Sequence, residues 1–401
     1  MSRQLKICLV TQEFPPETNW GGVGVQFSNF AQAAAGAGHT VVVVSRAERG
    51  APGYQRRTCG IEVWRVGMPL QRRLLVGRTI DRMLHARAVT EKIRELDSLY
   101  QFDVIEASEA NFDAERLVVR PEYCDRTVIH CQGGNIQGQP VDGPLAKVHR
   151  LDFEWSCRRE QAMLRRARTI VVSSQAIRAV VLDHGVDPRR VHLVPLGIDT
   201  ARFHPPEKQS ATADLNVGFV GRLQERKGLD FVWRVMETLG PTAGIMFHFK
   251  GAIHPATRTE TLRRLSRYAE FAQYYEPGSN EEMPDFLRTL DVLLLPSRFE
   301  TFGLTYSEAM ATGLVVFAGR GGSGPEVVKD EVTGFIVDPE GPVNLVVERL
   351  RSLAANRLAF ADMRRRAREE AVCRFSLDMV VSAKVTLFES LGKNLPATHA
   401  T

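Results

Sequence analysis

Short apolar runs, each closed by turn residues and followed by a longer amphipathic stretch, recur along the chain. In the first half they cover residues 5–10, 40–44, 61–66, 102–107, 127–131, 169–173 and 191–195; in the second half, 215–220, 245–250, 271–275, 292–295 and 314–318. Runs this short and this continuously apolar read as strands buried on both faces. Helical periodicity falls between and after them, over 23–36, 145–166, from near 228 onward, over 343–372 and over 377–391. The alternation predicts an α/β chain with parallel sheets, crossover helices and ligands at the carboxyl ends of the strands.

The stretch 291–319, DVLLLPSRFETFGLTYSEAMATGLVVFAG, holds a complete strand, turn, helix and strand. Glu300 lies in the polar turn before the helix, and Glu308 lies about a turn and a half into it. Between them the N–H groups of Gly303 and Leu304 open a helix N-terminus, where orphan donors and the helix dipole favour an anion. The two carboxylates can accept from hydroxyls on either side of that anion. A ligand with hydroxyls at both ends and phosphate in the middle is a nucleotide sugar.

A second constellation follows the strand 215–220: Gly221-Arg222-Leu223-Gln224-Glu225-Arg226-Lys227-Gly228. Arg222 supplies a planar fork and Lys227 a point charge, a pair that suits a diphosphate. No Gly-Lys-Ser/Thr follows, so this is no Walker loop. Near the N-terminus, Gly21-Gly22 stands before a helix, where backbone can approach phosphate or sugar. A dinucleotide fingerprint fits poorly there. Phe27 occupies the third glycine position, the loop is long, and the second strand ends in Ser45-Arg46 without an acid for a ribose. His130 closes a strand and runs into Gln132-Gly133-Gly134, again where ligands bind to parallel sheets.

Composition narrows the class. At 44% hydrophobic and 25% charged the chain is an ordinary soluble globular protein, and 401 residues make two domains the default. Pro205, Pro206 and a polar run mark a linker at 204–214. The net charge of +5 is uneven: residues 1–199 hold 27 Lys and Arg against 22 Asp and Glu, and the remainder balances at 25 each. An anionic partner would therefore meet the N-terminal half. Arg72, Arg73, Arg78, Arg82 and Arg87 alternate there with apolar residues. They form either a surface for an anionic membrane or acceptor, or, more commonly, a helix with one solvated and one core face. No basic–aromatic interleaving points to nucleic acid. Six scattered cysteines suit free thiols in a reducing cytoplasm. The first residues lead into a strand rather than a signal-peptide core, and no apolar run has transmembrane length.

These motifs carry a resemblance. Glu300-x7-Glu308 in its Phe302-Gly303-Leu304 setting, and the Gly221-Arg222 to Lys227-Gly228 loop, resemble the retaining glycosyltransferases of family four. Gly21-Gly22-Val23 matches that family's Gly-Gly-Val element. Pro195-Leu196-Gly197-Ile198-Asp199 is similar to its domain-crossing segment, with Leu196 in place of the usual Asn. Gly321-Gly322-Ser323-Gly324-Pro325-Glu326 is similar to its Gly-Gly-x-Pro-Glu turn, with one residue inserted. The resemblance implies the GT-B fold: two Rossmann-like doubly wound parallel-sheet domains facing across a cleft. The first would be an acceptor domain over 1–199, completed by a crossing helix at 376–392. The second would be a donor domain over 200–375, with the base held near Tyr275 to Asn280.

The implied activity is that of a retaining hexosyltransferase. It would move a hexose or N-acetylhexosamine from a UDP- or GDP-sugar to a hydroxyl of a sugar, polyol, lipid or natural product. No cofactor is implied, and no metal, since no Asp-x-Asp pair occurs. Arg222, Lys227 and the N–H groups of Gly303 and Leu304 would meet the diphosphate, with Gly21 and Gly22 facing it. Glu300 would hold the sugar, Glu308 the ribose, and His130 would touch the transferred sugar. A nucleotide-sugar epimerase of UDP-GlcNAc type, with the same fold, is the alternative. A pyridoxal-phosphate phosphorylase and a non-catalytic sugar-binding module are further rivals. The expected location is cytoplasmic, with peripheral membrane contact left open.

Overall fold

The computed structural model describes residues 3–16, 21–47, 53–56, 60–67, 77–133, 147–207, 214–241 and 244–393. Arg72, Arg73, Cys59 and Gly134 lie outside the described residues. The chain divides into two compact units: Met1–Gly197 together with Leu377–Thr401, and Ile198–Ser376.

The first unit is built on strands β1 (Lys6–Thr11), β2 (Thr40–Arg46), β3 (Gly53–Arg56), β4 (Glu62–Val66), β5 (Val104–Ser108), β6 (Thr127–Cys131), β7 (Thr169–Val172) and β8 (Val191–Leu193). Its helices are α1 (Gly22–Gly36), α2 (Gly77–Tyr100), α3 (Lys147–Arg166) and α4 (Gln175–Asp183). The sheet order is β3-β4-β2-β1-β5-β6-β7-β8, parallel throughout except for β3 against β4. The order runs outward from β1 in both directions, so β1 and β5 flank a switch point, where such sheets bind ligands. Consecutive valines in β2 are buried on both faces, as a covered parallel strand requires.

The second unit contains strands β9 (Leu215–Val220), β10 (Ile245–Lys250), β11 (Ala272–Tyr275), β12 (Val292–Leu295), β13 (Val315–Gly319) and β14 (Phe335–Val337). Its helices are α5 (Leu229–Leu239), α6 (Arg258–Arg267), α7 (Met283–Arg288), α8 (Leu304–Thr312), α9 (Gly324–Val327), α10 (Asn344–Ala355) and α11 (Ala361–Phe375). The order β11-β10-β9-β12-β13-β14 is parallel at every pairing and switches between β9 and β12. The chain enters at Ile198 and leaves at Ser376 side by side, with Ile198 N–H donating to Phe375 O at 2.7 Å.

Helix α12 (Leu377–Lys393) belongs to the first unit. Val380, Val381, Val385 and Phe388 recur at helical spacing and join Phe27, Phe30 and Ala31 of α1 in one apolar core. Phe388 stands edge-on to Phe30, ring centroids 6.3 Å apart.

The helix expected over 343–372 is two helices. Asn356 leaves helical geometry at φ −146° and its side-chain oxygen accepts from Leu358 N–H at 3.0 Å, ending α10 before α11 begins. The basic stretch of the first half lies partly on α2, whose core face carries Ala86, Val89, Ile93 and Leu96. No helix among the described residues is long and apolar enough to cross a membrane.

Phe388→Ala should destabilise the first unit by about 3–5 kcal/mol, the usual result of emptying a buried aromatic site. Chemical denaturation should show a lowered midpoint, with a much smaller change for Phe388→Leu. An unchanged midpoint in the alanine variant would show that α12 is not part of that unit's core.

Candidate active site

In the second unit, loops leaving the carboxyl ends of β9, β12 and β13 meet. The β9 loop carries Lys227 on a single 3-10 turn, Glu225–Lys227, closed by Gly228 at φ 77°. A Cβ on Gly228 would stand 2.1 Å from Pro296 O, so only glycine lets this loop press against the end of β12. The two loops are stitched by Arg298 N–H donating to Arg226 O at 2.9 Å. Arg298 is held in turn by a two-pronged ion pair with Asp230, at 2.7 and 2.8 Å.

This stitching places Lys227 Nζ 2.5 Å from Glu300 Oε1, with the lysine 16% and the glutamate 9% exposed at their side chains. Ser297 Oγ donates to the same carboxylate oxygen at 2.7 Å. The β13 loop fixes Glu300 from behind: Ser323 N–H donates to Glu300 O at 2.9 Å. Glu300 therefore has its backbone and one oxygen restrained, which preorganises its side chain.

Gly303 caps α8 at φ 82°, where a Cβ would strike Tyr306 Cδ2 at 2.4 Å. The N–H groups of the first turn of α8 open beside it. Tyr306 is fully buried and ties the neighbouring strand ends together: its hydroxyl donates to Leu295 O at 2.8 Å and accepts from Gly319 N–H at 3.3 Å. Glu308, further along α8, is 8% exposed. Burial pushes its carboxyl up to about 7, with Arg202 pulling the other way. Arg222 is exposed at the start of the β9 loop. Thus the structure joins Lys227 and Glu300 directly and sets Gly303, Leu304 and Glu308 along one helix, while among the described residues Arg222 makes no hydrogen bond or ion pair to them.

In the first unit, Gly21 caps α1 and Gly22 begins it. A Cβ on Gly21 would lie 2.1 Å from Glu13 Oε2, so the loop after β1 returns onto this helix end. A cavity of about 390 Å³ opens at the carboxyl ends of β1, β2 and β5, lined by Gln12, Glu13, Arg46, Asp81, Arg82 and Asn111 among others. Buried His85 contacts Asp113 at 3.1 Å. Burial opposes charge on His85, but Asp113 prevails and its pKa is raised.

His130, on β6, is fully buried. Its Nδ1 lies 2.8 Å from Glu106 Oε1, and Lys384 Nζ lies 2.5 Å from the same oxygen. Burial and then the Lys384 charge lower the His130 pKa, with Glu106 opposing. His130 thus sits inside the unit rather than on a surface, with Nε2 unpartnered among the described residues. Sequence reasoning missed Glu106 and Lys384. The signals were an acid inside the buried run of β5 and a lysine inside the apolar stripe of α12. It also missed Ser297 and Tyr306.

Two family models match the chain, one described as Glycosyltransferase Family 4 over residues 20–202 and one as Glycosyl transferases group 1 over residues 201–372. D-inositol 3-phosphate glycosyltransferase of Geodermatophilus obscurus is 28% identical over 59% of this chain and 56% of that protein. The protein of the same name from Segniliparus rotundus is 31% identical over 43% of this chain and 41% of its own length. The chain therefore spans about half the length of these relatives, or less.

Sucrose-phosphate synthase from Thermosynechococcus elongatus superposes with a TM-score of 0.82 at 20% identity, over 98% of this chain and 100% of that one. Anabaena HepE, solved with UDP and glucose, gives 0.71 at 18% identity over 96% and 100%. WaaG, a glycosyltransferase of lipopolysaccharide biosynthesis, gives 0.69 at 16% over 95% and 99%. These likenesses show the fold, two parallel-sheet α/β units of GT-B type. Matched by one glycosyltransferase model across its first half and by the other across most of its second, the chain belongs to the family-four-like glycosyltransferases.

Proposed function

We propose that this chain is a retaining glycosyltransferase that takes a sugar from a nucleoside diphosphate and passes it to a hydroxyl of a sugar or polyol. One observation carries the reading. The ammonium of Lys227 and the carboxylate of Glu300 meet at 2.5 Å beside the N-terminus of α8. A cation and a helix mouth answer a diphosphate, and the acid beside them answers sugar hydroxyls. HepE was solved with UDP and UDP-glucose, which supports a UDP-sugar as donor, with a GDP-sugar as the other choice.

The reaction breaks the bond between the anomeric carbon and the diphosphate oxygen, and it passes through an oxocarbenium-like transition state. Negative charge then builds on the leaving diphosphate. Lys227, Arg222 and the N–H groups of Gly303 and Leu304 lower the barrier by meeting that charge where it develops. This set of donors needs no metal and no cofactor. Glu300 fixes the sugar ring, Glu308 accepts from the ribose, and Gly22, with open space where a side chain would stand, leaves room for the diphosphate, while Gly21 abuts the Glu13 carboxylate. His130 is fully buried, so its ring nitrogen would reach the transferred sugar only if the groups over Nε2 moved aside. Retention follows if the acceptor hydroxyl attacks from the face the diphosphate leaves.

The acceptor enters the cavity of about 390 Å³ in the first unit, whose mixed lining sets Arg46 and Arg82 beside Glu13 and Asp81. A polyol or its phosphate fits that chemistry, as the names of the inositol 3-phosphate relatives suggest. Peripheral contact with an anionic membrane would fall to the basic first half.

A melting screen tests the donor class directly. A UDP- or GDP-sugar should raise the melting temperature, because a ligand that binds only the folded state stabilises it. No shift from any nucleotide sugar at millimolar concentration would remove this reading.

Lys227→Ala should lower turnover about 100-fold, since losing one preorganised donor at a developing oxyanion costs roughly 3 kcal/mol. Steady-state kinetics with the donor selected above would check this, and wild-type turnover would reassign Lys227 to a structural pair.

Glu308 makes stability depend on pH. Its folded carboxyl titrates near 7, above the ordinary 4.5, so the folded state keeps a proton that the unfolded chain releases. Stability should therefore fall as pH rises from about 4.5 to about 7 and stay lowered above that, by about 3 kcal/mol from this group. Glu308→Gln should remove this slope and denature later than wild type at pH 8. Identical pH dependence in the two proteins would show that the carboxyl is not held uncharged.

A further inference from the structure

Another cavity, of about 500 Å³, opens in the second unit at the amino ends of its strands, the end opposite Lys227 and Glu300. Asp291 there leads into β12, and Gly313 leads from α8 toward β13. Pro205 and Pro206, from the segment before β9, form one wall. That wall is closely fitted: a Cβ on Gly313, whose φ is 81°, would stand 3.3 Å from Pro205 Cγ. Arginines of α11 form the facing wall. Strand β12, of 4 residues, separates the two ends by roughly 13 Å at about 3.3 Å per residue, and the sheet stands between them.

The charges in this cavity do not balance. Among its lining residues are the five arginines at 288, 357, 364, 365 and 368, and the acids Asp291 and Glu369. Both acids are already engaged. Asp291 pairs with Arg357 and accepts from Asn216 N–H at 2.9 Å, and Glu369 pairs with Arg365 at 2.7 Å. Arg288 pairs with Asp285. Arg364 and Arg368 remain, four residues apart on one face of α11, and neither is in an ion pair among the described residues.

These two differ in how their donors are used. Arg368 donates to Phe203 O, Ala311 O and Thr200 O at 2.5, 2.8 and 3.0 Å, which fixes its plane and leaves its charge. Arg364 donates from Nη2 to Asp291 O at 3.3 Å, and its Nε is buried without a hydrogen-bond partner among the described residues. Burial weighs against the Arg364 charge, and Asp291 answers it only in part. A buried, charged donor left unmade is costly, so this edge of the guanidinium favours an acceptor from outside the chain.

Arginines that only tied α11 to the sheet would spend their donors as Arg357 and Arg368 do. We propose that this cavity is a second ligand site, for a small organic phosphomonoester whose dianion takes the Nε edge of Arg364, with the Arg368 charge alongside. Two uncompensated guanidiniums match a dianion, and a fork suits phosphate oxygens. The volume is that of a site for a whole small molecule, so the phosphate comes on a body. Pro205, Pro206 and Leu358 give that body an apolar surface.

Calorimetric titration of the full chain tests this at about pH 7.5, where a phosphomonoester has lost its second proton. Phenyl phosphate should bind with a Kd of about 1 mM or lower, at least about tenfold more tightly than inorganic phosphate. Benzyl alcohol, a ring without the charge, should give no binding signal. Arg364→Met, which keeps the stem and removes the guanidinium, should weaken phenyl phosphate by at least about tenfold. Leu358 is 64% exposed, so Leu358→Glu adds an opposing charge at the rim with little risk to folding, and it should weaken the probe similarly. Lys227→Ala should bind phenyl phosphate as wild type does.

No binding at millimolar phenyl phosphate overturns the proposal. So does wild-type affinity in Leu358→Glu, or in Arg364→Met where that variant folds. Loss of binding in Lys227→Ala would place the anion at the mouth of α8 instead. Equal affinity for inorganic and phenyl phosphate would leave an adventitious ion only.

Discussion

The arrangement in the second unit depends on one ammonium–carboxylate contact. Lys227 follows β9 and Glu300 follows β12, and those strands are neighbours in the sheet although the residues lie 73 positions apart. The parallel order sends both loops to the same end, and close backbone packing at Gly228 lets them touch. At 16% and 9% exposure the pair is shielded enough for its charges to matter to one another. Its main consequence is positional. Two chain segments are pinned beside a helix N-terminus, and the acid is held by Ser297 and Ser323 as well.

Much of this was legible in the sequence because it is local. The strand, turn and helix of 291–319 appear as an apolar run, a polar turn and helix formers in order, and the glycine that caps α8 stands where such a turn needs one. The β9 loop announces its cations in eight consecutive residues. What stayed hidden is non-local. Glu106 and Lys384 are 278 positions apart and meet only because α12 returns to the first unit after the second is complete. Each was visible alone as a charge inside an apolar pattern. Nothing in the pattern says that the two share a site, because helix placement on a sheet is a tertiary fact.

Boundaries failed for a related reason. The apolar period runs on through 356–360, so periodicity joins α10 to α11. The break comes from a single Asn356 side chain competing for the backbone N–H of Leu358. Strands β3 and β14, of 4 and 3 residues, are too short to show a period and exist because a neighbouring strand offers an edge.

Three of the buried glutamates, Glu106, Glu300 and Glu308, differ in how each is compensated. Glu106 carries a lysine and an imidazole, and despite burial those partners hold its carboxyl down to about 2. Glu300 carries a lysine and a serine. Among the described residues Glu308 has only the charge of Arg202 set against its burial, and its carboxyl rises to about 7. A fully paired carboxylate orients its partners, as Glu106 does His130. An under-compensated one favours a ligand that brings its own donors, and ribose hydroxyls are such donors. On the proposed reading Glu300 lies between these cases. A diphosphate arriving at α8 competes for Lys227, and each bit of charge the lysine gives to phosphate frees Glu300 to accept from the sugar. Donor binding would then prepare the acid that grips the sugar, with no further group required.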